Sequence, residues 1–459
     1  RMAVIISREE EKLSVPEFYA GKSIFITGGT GFLGKVFIEK LLYSCPDIDK
    51  IYMLIREKKN LSIDERMTMF LDDPLFSRLK EKRPGDVEKI VLIPGDISSP
   101  NLGLSAENER ILIENVSVII HSAATIKFNE PLPIAWKINV EGTRMLMDLS
   151  RRMKRIKVFI HISTAYSNAN SERAAVEEIL YPAPADMDQV YQLVKDGVTE
   201  EETEILLNGL PNTYTFTKAL AEHLAAEHQV HVPTVIIRPS IVGSIKDEPI
   251  RGWLCNWFGA TGISVFTAKG LNRVLLGKAS NIVDVIPVDY VANLVIVAGA
   301  KNGGEKSEEL KIYNCCSSDC NPVTVKKILK EFIDDTIKNK SHIMPLPGWF
   351  VFTKYKWLMT LLTIIFQMIP MYLADVYRVL MGKNPRYMKL HHLVIQTRLV
   401  INFFTFHSWV MKTDRARELF GSLSPVEKHM FPWDPSGIDW TEYLQSYCYG
   451  VRHFLEKRK

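Results

Sequence analysis

Short apolar runs alternate with longer stretches of helical periodicity over roughly the first 240 residues. Six of these runs predict strands: Ser23–Thr27, Lys50–Ile55, Lys89–Pro94, Val116–His121, Lys157–Ser163 and Thr234–Arg238. They are continuous and rich in Val and Ile, which is typical of strands buried on both faces of a parallel sheet. Helices are predicted between them, for example over Phe32–Tyr43 and Pro133–Met153. This order predicts an α/β fold with a doubly wound parallel sheet and right-handed crossovers.

The alternation breaks at two places along the chain. Residues 166–211 are acidic, and we interpret them as an insertion over one end of the sheet. After Ser240 the pattern fades, and residues 241–345 carry the Gly, Pro and aromatic clusters expected of a substrate lobe. Residues 346–459 are aromatic, rich in Met and helical in pattern. The sequence therefore predicts a nucleotide-binding and catalytic domain over 16–345 and a helical domain over 346–459.

One segment of the helical domain has the composition of a membrane-active helix. Trp357–Ala374 carries no charge over 18 residues and follows Lys354 and Lys356. At ~1.5 Å per residue it spans about 27 Å, just short of a bilayer core of roughly 30 Å. Three interpretations remain open: a transmembrane or re-entrant helix, an interfacial helix or lipid-facing lid, and soluble core. A single span would separate residues 375–459 from the site, which favours a shallow or re-entrant arrangement.

The turn after the first predicted strand has the spacing T-G-x-x-G-x-x-G, with glycines at Gly28, Gly31 and Gly34. Gly28 permits the tight turn, Gly31 lets the backbone approach a pyrophosphate, and Gly34 lets the helix pack close to the strand. The phosphates would meet the free N–H groups at the start of that helix. The pattern predicts a Rossmann dinucleotide site that includes Thr27, Gly28, Gly31, Phe32, Leu33 and Gly34.

A second motif, Y-x-x-x-K, places Tyr214 and Lys218 one turn apart on a predicted helix, Tyr214–His228. A nearby ammonium is expected to lower the pKa of the phenol and to ease proton transfer. The lysine can also hydrogen-bond the nicotinamide ribose. A hydroxyl at the end of the fifth strand would polarise the substrate carbonyl. Thr164 is the first candidate for that hydroxyl and Ser163 the second.

The end of the second predicted strand indicates which nicotinamide cofactor is used. NAD enzymes usually place an acidic residue there, to bind the ribose 2′-hydroxyl. This chain has Arg56, whose guanidinium can pair with a 2′-phosphate. Glu57 follows it and is expected to point to the other face. These residues favour NADPH over NAD.

Six further residues, at four places along the chain, are predicted to contact or support the cofactor. Residues after the third strand can contact adenine, and residues after the fourth can line the cleft. A residue on the next helix can hold the active-site strand, and the loop after the sixth strand can frame the nicotinamide. In that order they are Asp96 and Ile97, Ala123 and Ala124, Asn139, and Pro239.

Composition limits the classes of partner. The chain has 57 Lys and Arg against 53 Asp and Glu, and no basic block carries interleaved aromatic residues, so no nucleic-acid partner is expected. Its six cysteines form no C-x-x-C pair, and no ligand-spaced histidines accompany them. We expect free thiols in a reducing compartment and no metal site. No secretory signal precedes the first strand, so the catalytic domain is expected to face the cytosol.

These motifs resemble an extended short-chain dehydrogenase/reductase, and the chain as a whole is similar to the eukaryotic fatty acyl-CoA reductases. The similarity is carried by Phe18–Lys35, Ile51–Lys58, Asn212–Glu222, Ile237–Val242 and Leu419–Leu455. The resemblance implies a two-step, NADPH-dependent reduction of a fatty acyl-CoA to a fatty alcohol through an aldehyde. It also implies a membrane-lipid partner, with the endoplasmic reticulum favoured over the peroxisome. The stretches Tyr43–Pro46 and Tyr166–Asn168 resemble insect members, in particular the moth pheromone-gland group.

Two other functions are compatible with parts of the sequence. An extended reductase acting on a sterol or other lipid ketone would share the first 240 residues or so, but it would lack the appended helical domain. A non-catalytic NADPH-binding membrane scaffold would have no use for the Tyr214 and Lys218 pair. The mechanism requires no cysteine nucleophile.

Overall fold

The computed structural model describes residues 13–56, 61–170, 174–304, 309–344 and 347–456. The strands are β1 (Ser23–Thr27), β2 (Ile51–Ile55), β3 (Ile90–Pro94), β4 (Val116–His121), β5 (Val158–Ile162), β6 (Ala175–Val176), β7 (Thr234–Pro239), β8 (Ile241–Gly243), β9 (Val274–Leu276), β10 (Val285–Pro287), β11 (Lys311–Cys315), β12 (Val351–Thr353) and β13 (Val410–Met411).

The helices of the first part of the chain are α1 (Val15–Tyr19), α2 (Phe32–Ser44), α3 (Ile63–Leu71), α4 (Ser77–Lys82), α5 (Ala106–Asn115), α6 (Leu132–Trp136), α7 (Gly142–Arg151), α8 (Met187–Asp196), α9 (Glu200–Leu207), α10 (Thr213–Gln229), α11 (Ala260–Ala268), α12 (Val288–Asn302) and α13 (Val325–Lys338). The remaining helices are α14 (Lys356–Thr363), α15 (Ile369–Leu380), α16 (Tyr387–Phe406), α17 (Asp414–Gly421), α18 (Pro425–Met430) and α19 (Trp440–Gly450). The π-helical turns Lys137–Glu141 and Ile364–Met368 join α6 to α7 and α14 to α15.

The main sheet is parallel and has seven strands in the order β11–β7–β5–β4–β1–β2–β3. The predicted α/β fold with a doubly wound sheet is confirmed, and all six predicted strands belong to this sheet. The seventh strand, β11, was not predicted. Strand order reverses between β1 and β4, so their carboxyl ends open a crevice of the kind that binds ligands in open α/β sheets.

The core lies on both faces of the sheet. Strands β1, β4 and β5 are buried at every position, as their apolar runs predict. On one face α12 packs against the sheet and against α2, and on the other face α10 packs with α7. Because both faces are covered, side chains at the carboxyl edge provide the exposed chemistry of the domain.

The C-terminal region is helical, as predicted, and packs against the substrate lobe and the insertion. Strand β12 pairs with β9, and β13 pairs with β6 in the 166–211 insertion. The Tyr443 hydroxyl donates to the carbonyl oxygen of Ser244 at 3.0 Å. The predicted domain boundary at residues 345 and 346 lies outside the described residues.

The helix from Lys356 to Leu380 is long and apolar enough to cross a membrane by length and composition. The buried polar side chains of this helix form hydrogen bonds to residues outside it. The Gln367 Oε1 accepts from the backbone N–H of Arg273 at 3.3 Å, and Arg398 donates to the Thr363 hydroxyl at 2.9 Å. The opposite face is exposed, so the helix lies along the protein with its apolar side outward.

Candidate active site

The glycine turn after β1 has the geometry that its spacing predicts. Gly28 has a φ of +74°, and a Cβ atom there would lie 2.8 Å from the backbone nitrogen of Ala123. A Cβ atom on Gly34 would lie 2.3 Å from the Gly28 carbonyl oxygen, so only glycine lets α2 pack this close. At Gly31 a Cβ atom would meet only that same oxygen, at 3.1 Å. The turn therefore leaves an open backbone surface at the start of α2.

That surface is suited to a pyrophosphate. Gly31 is the residue that precedes α2, and it has no side chain to cap the first N–H groups. Phe32 and Leu33 form the first turn and are half-buried. The free N–H groups and the helix dipole at this end favour an anion. The residues present thus fit a dinucleotide cofactor.

Hydrogen bonds connect the glycine turn to the neighbouring strand and helix. The Thr27 hydroxyl lies 2.7 Å from His121 Nδ1, and His121 Nε2 lies 2.8 Å from the Thr143 hydroxyl. The Thr143 hydroxyl donates to the Asn139 carbonyl oxygen at 2.7 Å, so it must accept from His121. His121 is therefore neutral with its proton on Nε2, and burial lowers its pKa to about 3.

Asn139 joins two parts of the site. Its Oδ1 accepts from the backbone N–H of Thr125 at 2.9 Å, in the loop after β4. Its Nδ2 donates to the Thr217 hydroxyl at 3.0 Å, on α10. Asn139 thus joins the loop after β4 to α10, whereas the sequence predicted that it would hold the candidate active-site strand.

Helix α10 carries the Tyr214 and Lys218 pair. Asn212 caps the helix, since its Oδ1 accepts from the backbone N–H of Thr215 at 2.9 Å. The Thr164 hydroxyl lies beside the Tyr214 phenol, close enough to influence its pKa. The expected lowering of the Tyr214 pKa by Lys218 is wrong: burial raises this pKa to about 12, and the Thr164 hydroxyl only opposes the rise.

Lys218 is buried beside two histidines at the ends of β4 and β5. Its Nζ lies 3.1 Å from His161 Nε2. Burial lowers the pKa of Lys218 to about 7, and the negative charge of Glu222 opposes that change. A lysine with this pKa gains and loses its proton near neutral pH, which suits a group that supports proton transfer.

The two candidate hydroxyls after β5 have different partners. Thr164 lies with Tyr214, while the Ser163 hydroxyl donates to Glu222 Oε1 at 2.5 Å. Glu222 forms a bidentate ion pair with Arg238, at 2.9 and 2.7 Å, and both side chains are buried. The structure thus places Thr164 beside the phenol and uses Ser163 in a buried ion-pair network.

Sequence reasoning missed this ion pair, although Glu222 lies one turn after Lys218. Arg238 is the next-to-last residue of β7 and also donates to the carbonyl oxygens of Glu177 and Ile179 at 3.0 and 2.9 Å. The pair therefore fixes the insertion over the end of the sheet, where the sequence predicted that it lies.

The predicted adenosine contacts lie along the same edge. Asp96 and Ile97 follow β3, and Asp96 Oδ1 accepts from the backbone N–H of Ser98 at 2.9 Å. Arg56 follows β2 and is exposed. Arg66, on α3, donates to the Arg56 carbonyl oxygen; its pKa is lowered by burial and by the charge of Arg56. Sequence reasoning missed this second guanidinium, and Glu57 lies outside the described residues.

The remaining predicted cofactor positions are at the centre of the edge. Ala123 and Ala124 follow β4 and are half-buried, and the Ala123 N–H donates to the Thr27 hydroxyl at 3.2 Å. Pro239 is buried at the end of β7, opposite Cys315. The described residues include no group of three His, Cys, Asp or Glu side chains that could hold a metal ion.

Aromatic side chains extend from the phenol toward the C-terminal helices. The Phe128 ring stacks on Tyr214 with centroids 5.8 Å apart, and it lies 5.5 Å from Phe404 on α16. Phe404 in turn packs 4.9 Å from Tyr166. Phe128 and Phe404 lie 276 positions apart, so no local pattern could have paired them.

Comparisons with known proteins show what the chain is similar to. Two family models, both described as male sterility protein, match residues 26–295 and 366–458; the first is of the NAD-binding type and the second is the Sterile type. Fatty acyl-CoA reductase 1 of Xenopus laevis is 35% identical over 451 residues, which cover 96% of this chain and 86% of that protein. Fatty acyl-CoA reductase 2 of Mus musculus is 34% identical over the same length, with the same coverage of both chains.

Solved structures share the fold at lower identity. The terminal reductase domain of the myxalamid PKS-NRPS pathway is 20% identical, with a TM-score of 0.65 over 95% of this chain and 92% of that chain. A dTDP-glucose 4,6-dehydratase from Bacillus anthracis, in complex with NAD, is 16% identical, with a TM-score of 0.51 over 95% of this chain and 98% of that chain. The sequence relatives and the two family matches show that the chain belongs to the fatty acyl-CoA reductase family.

Proposed function

We propose that this protein reduces a long-chain fatty acyl-CoA to the primary fatty alcohol, through an aldehyde, at the expense of two NADPH. The observation that carries the proposal is that Thr164, which follows β5, lies beside Tyr214 on α10, one helical turn from Lys218, at the sheet edge that holds the glycine turn. Membership of the fatty acyl-CoA reductase family supports the choice of an acyl thioester as the substrate.

The protein's own groups have clear tasks in such a reaction. Bound NADPH supplies one hydride to the carbonyl carbon in each of the two reductions. The hydroxyls of Tyr214 and Thr164 donate to the carbonyl oxygen and stabilise the negative charge that develops on it. After the first reduction the hemithioacetal breaks its carbon–sulfur bond, and CoA leaves as the thiol. In the second reduction Tyr214 gives its proton to the aldehyde oxygen, and Lys218 supports it.

The preference for NADPH rests on two guanidinium groups. Arg56 lies at the position where the ribose 2′-substituent of a Rossmann cofactor is bound. Arg66 is close enough for the charge of Arg56 to lower its pKa. A 2′-phosphate would relieve the repulsion between these two cations, while the hydroxyl of NADH would not.

The aromatic contacts beyond Tyr214 supply a site for the acyl chain. Phe128 covers one face of the phenol and meets Phe404 of α16. Helix α16 packs against α15, whose outer face is apolar and exposed. We expect the chain of the thioester to run from Phe128 along α16 toward that face.

The exposed face supports attachment to a lipid surface, with the helix lying at the interface. Its large apolar side chains are Trp357, Leu361, Ile364, Ile365, Phe366, Ile369, Tyr372, Leu373, Val376, Tyr377, Val379 and Leu380. Charged residues from 354 to 389 are basic except for Asp375, which is buried. An apolar face with a basic border is the composition of interfacial helices that bind anionic membranes.

A shallow attachment keeps residues 381–456 on the same side as the active site. We therefore favour the interfacial arrangement over a transmembrane span. The catalytic domain faces the cytosol, with the endoplasmic reticulum as the first candidate membrane and the peroxisome as the second. A long-chain alcohol suits pheromone or wax lipid synthesis.

The test is a product assay with the full chain, palmitoyl-CoA and NADPH, read by chromatography. Hexadecanol is the expected product, with hexadecanal as a minor species. If hexadecanol is absent while a sterol ketone is reduced, the substrate is wrong. If NADPH binds and no carbonyl compound is reduced, the protein is a binding scaffold.

A further inference from the structure

We propose that His161 is a positioning residue that holds the ammonium of Lys218 at the cofactor edge of the sheet. Lys218 Nζ lies 3.1 Å from His161 Nε2, and both side chains are buried, at 2% and 0% exposure. His161 is the next-to-last residue of β5, two residues before Ser163, so the strand that brings Thr164 to Tyr214 also brings an acceptor to Lys218. This rests on the function proposed above, in which Lys218 supports Tyr214, and on the predicted hydrogen bond from Lys218 to the nicotinamide ribose.

The hydrogen-bonding state of His161 follows from its surroundings. A ring nitrogen that faces an ammonium must accept, so the His161 proton lies on Nδ1. Nδ1 is buried and has no hydrogen-bond partner among the residues that the structure describes. Leaving a buried N–H unpaired is costly. We infer that this unfavourable burial is tolerated because Nε2 of the same ring is needed as the acceptor for Lys218.

Two other titratable side chains near Lys218, Glu222 and His121, already have hydrogen-bond partners. Glu222, one turn along α10, is engaged by Arg238 of β7 and by the Ser163 hydroxyl. His121 of β4 lies with its ring 5.5 Å from the His161 ring, and both of its nitrogens have hydroxyl partners. Burial and the Lys218 charge hold the pKa of His161 well below its usual range, so this ring stays a neutral acceptor.

The contact has a consequence for the pH dependence of the reaction. Burial disfavours the Lys218 ammonium, and a neutral acceptor at Nε2 favours it. Loss of that acceptor lowers the pKa of Lys218 further. Activity requires the ammonium, so it is present below the pKa of Lys218 and is lost as pH rises through it. Removal of His161 therefore moves the alkaline limb of the profile to lower pH.

The experiment measures kcat and KM for NADPH with palmitoyl-CoA, from about pH 5.5 to about pH 9, in His161→Leu and His161→Gln variants. Leu cannot accept a hydrogen bond, and we expect kcat at about pH 8 to fall roughly 10- to 100-fold, with the alkaline limb about one unit lower. Gln keeps an acceptor oxygen, and it should restore kcat to within about threefold of the wild type. His228→Leu is the matched control, because His228 is buried on α10 and bonds Ser150 instead. The His228→Leu variant should leave the alkaline limb of the pH profile unchanged.

Two further readouts keep the inference separable from the proposed function. NADPH affinity measured by fluorescence needs no substrate, and its loss with rising pH should begin earlier in His161→Leu than in the wild type. In wild-type protein with 15N-labelled histidine, held below the pKa of Lys218, His161 should show the Nδ1–H tautomer, and this measurement requires no variant to fold. An unshifted pH profile in folded His161→Leu, or an Nε2–H tautomer, overturns the assignment. A wild-type protein that makes no alcohol overturns the proposed function alone.

Discussion

The sheet edge and the C-terminal helices use polar and apolar side chains in opposite ways. At the edge, polar groups such as Thr27, His121 and Asn139 form a hydrogen-bonded chain above strands that are apolar and buried. Along α14 and α15 the polar groups Thr363 and Gln367 face inward, and large apolar side chains face out. The first arrangement is typical of a protein in water, while an exposed apolar face such as the second is typical of a surface that binds a partner or, as we propose, lipid. The sheet edge and the C-terminal helices meet where Phe128, beside Tyr214, contacts Phe404 of α16.

The largest effect is expected from removal of the Tyr214 hydroxyl, the proposed acid at the sheet edge. In Tyr214→Phe we expect kcat to fall about 1000-fold while NADPH still binds, since only the hydroxyl that meets the carbonyl is lost. Initial rates and cofactor fluorescence measure the two effects. Tyr191→Phe, on the exposed helix α8, is the control and should match the wild type. A Tyr214→Phe enzyme with normal rates would show that another group is the acid.

The glycine turn can be tested through its backbone contacts. A Cβ atom at Gly34 meets backbone atoms at 2.3 and 2.5 Å, which cannot rotate away. We expect Gly34→Ala to lose about 1–3 kcal/mol of stability and to weaken NADPH binding. Thermal unfolding with and without NADPH measures both. Gly421→Ala is the control, because a Cβ atom there meets nothing within 4 Å, and its Tm should hold or rise slightly.

The next prediction concerns the two guanidinium groups at the sheet edge and the choice between NADPH and NADH. Arg56→Ala and Arg66→Ala should each raise KM for NADPH about tenfold and leave KM for NADH unchanged, because only a 2′-phosphate needs the cations. Arg110→Ala, exposed on α5, should change neither value. Equal effects on both cofactors would mean that these side chains do not bind the 2′-phosphate.

The apolar side of the comparison predicts a smaller effect. Leu361→Glu combined with Leu373→Glu places two charges on the exposed face, where these side chains are 45% and 59% exposed. Sedimentation with phosphatidylcholine and phosphatidylserine vesicles should fall about threefold to tenfold, with the melting temperature unchanged. Ile205→Glu, at an exposed apolar position on α9, should bind vesicles like the wild type. If the double variant bound vesicles as well as the wild type, this exposed apolar face would not be the lipid-binding surface.

Local spacing was enough to predict the sheet and the cofactor turn. The six Val- and Ile-rich runs and the glycine pattern are constrained within a few residues, because a parallel strand and a tight turn leave few alternatives. Strand β11, Lys-Ile-Tyr-Asn-Cys, escaped prediction since its polar residues hide a short buried run. The π-helical turn that joins α6 and α7 also leaves no clear mark in the sequence.

The surroundings of the catalytic groups could not be predicted in this way. The Y-x-x-x-K spacing put Lys218 near Tyr214, but burial decides the pKa values of both, and burial is a tertiary property. The Glu222–Arg238 pair joins residues from a helix and a strand whose meeting depends on the crossover. For α14 and α15, composition indicated an apolar helix, and only the packed structure shows which face is turned outward.

The central claim is that one carbon atom receives two hydrides at Tyr214, and isotope transfer tests it directly. The full chain is incubated with palmitoyl-CoA and with NADPH that carries deuterium at the transferred position of the nicotinamide. The mass of the product is then measured by mass spectrometry. We predict hexadecanol with two deuterium atoms on its first carbon. Hexadecanol with one deuterium, or hexadecanal as the only product, would contradict this account.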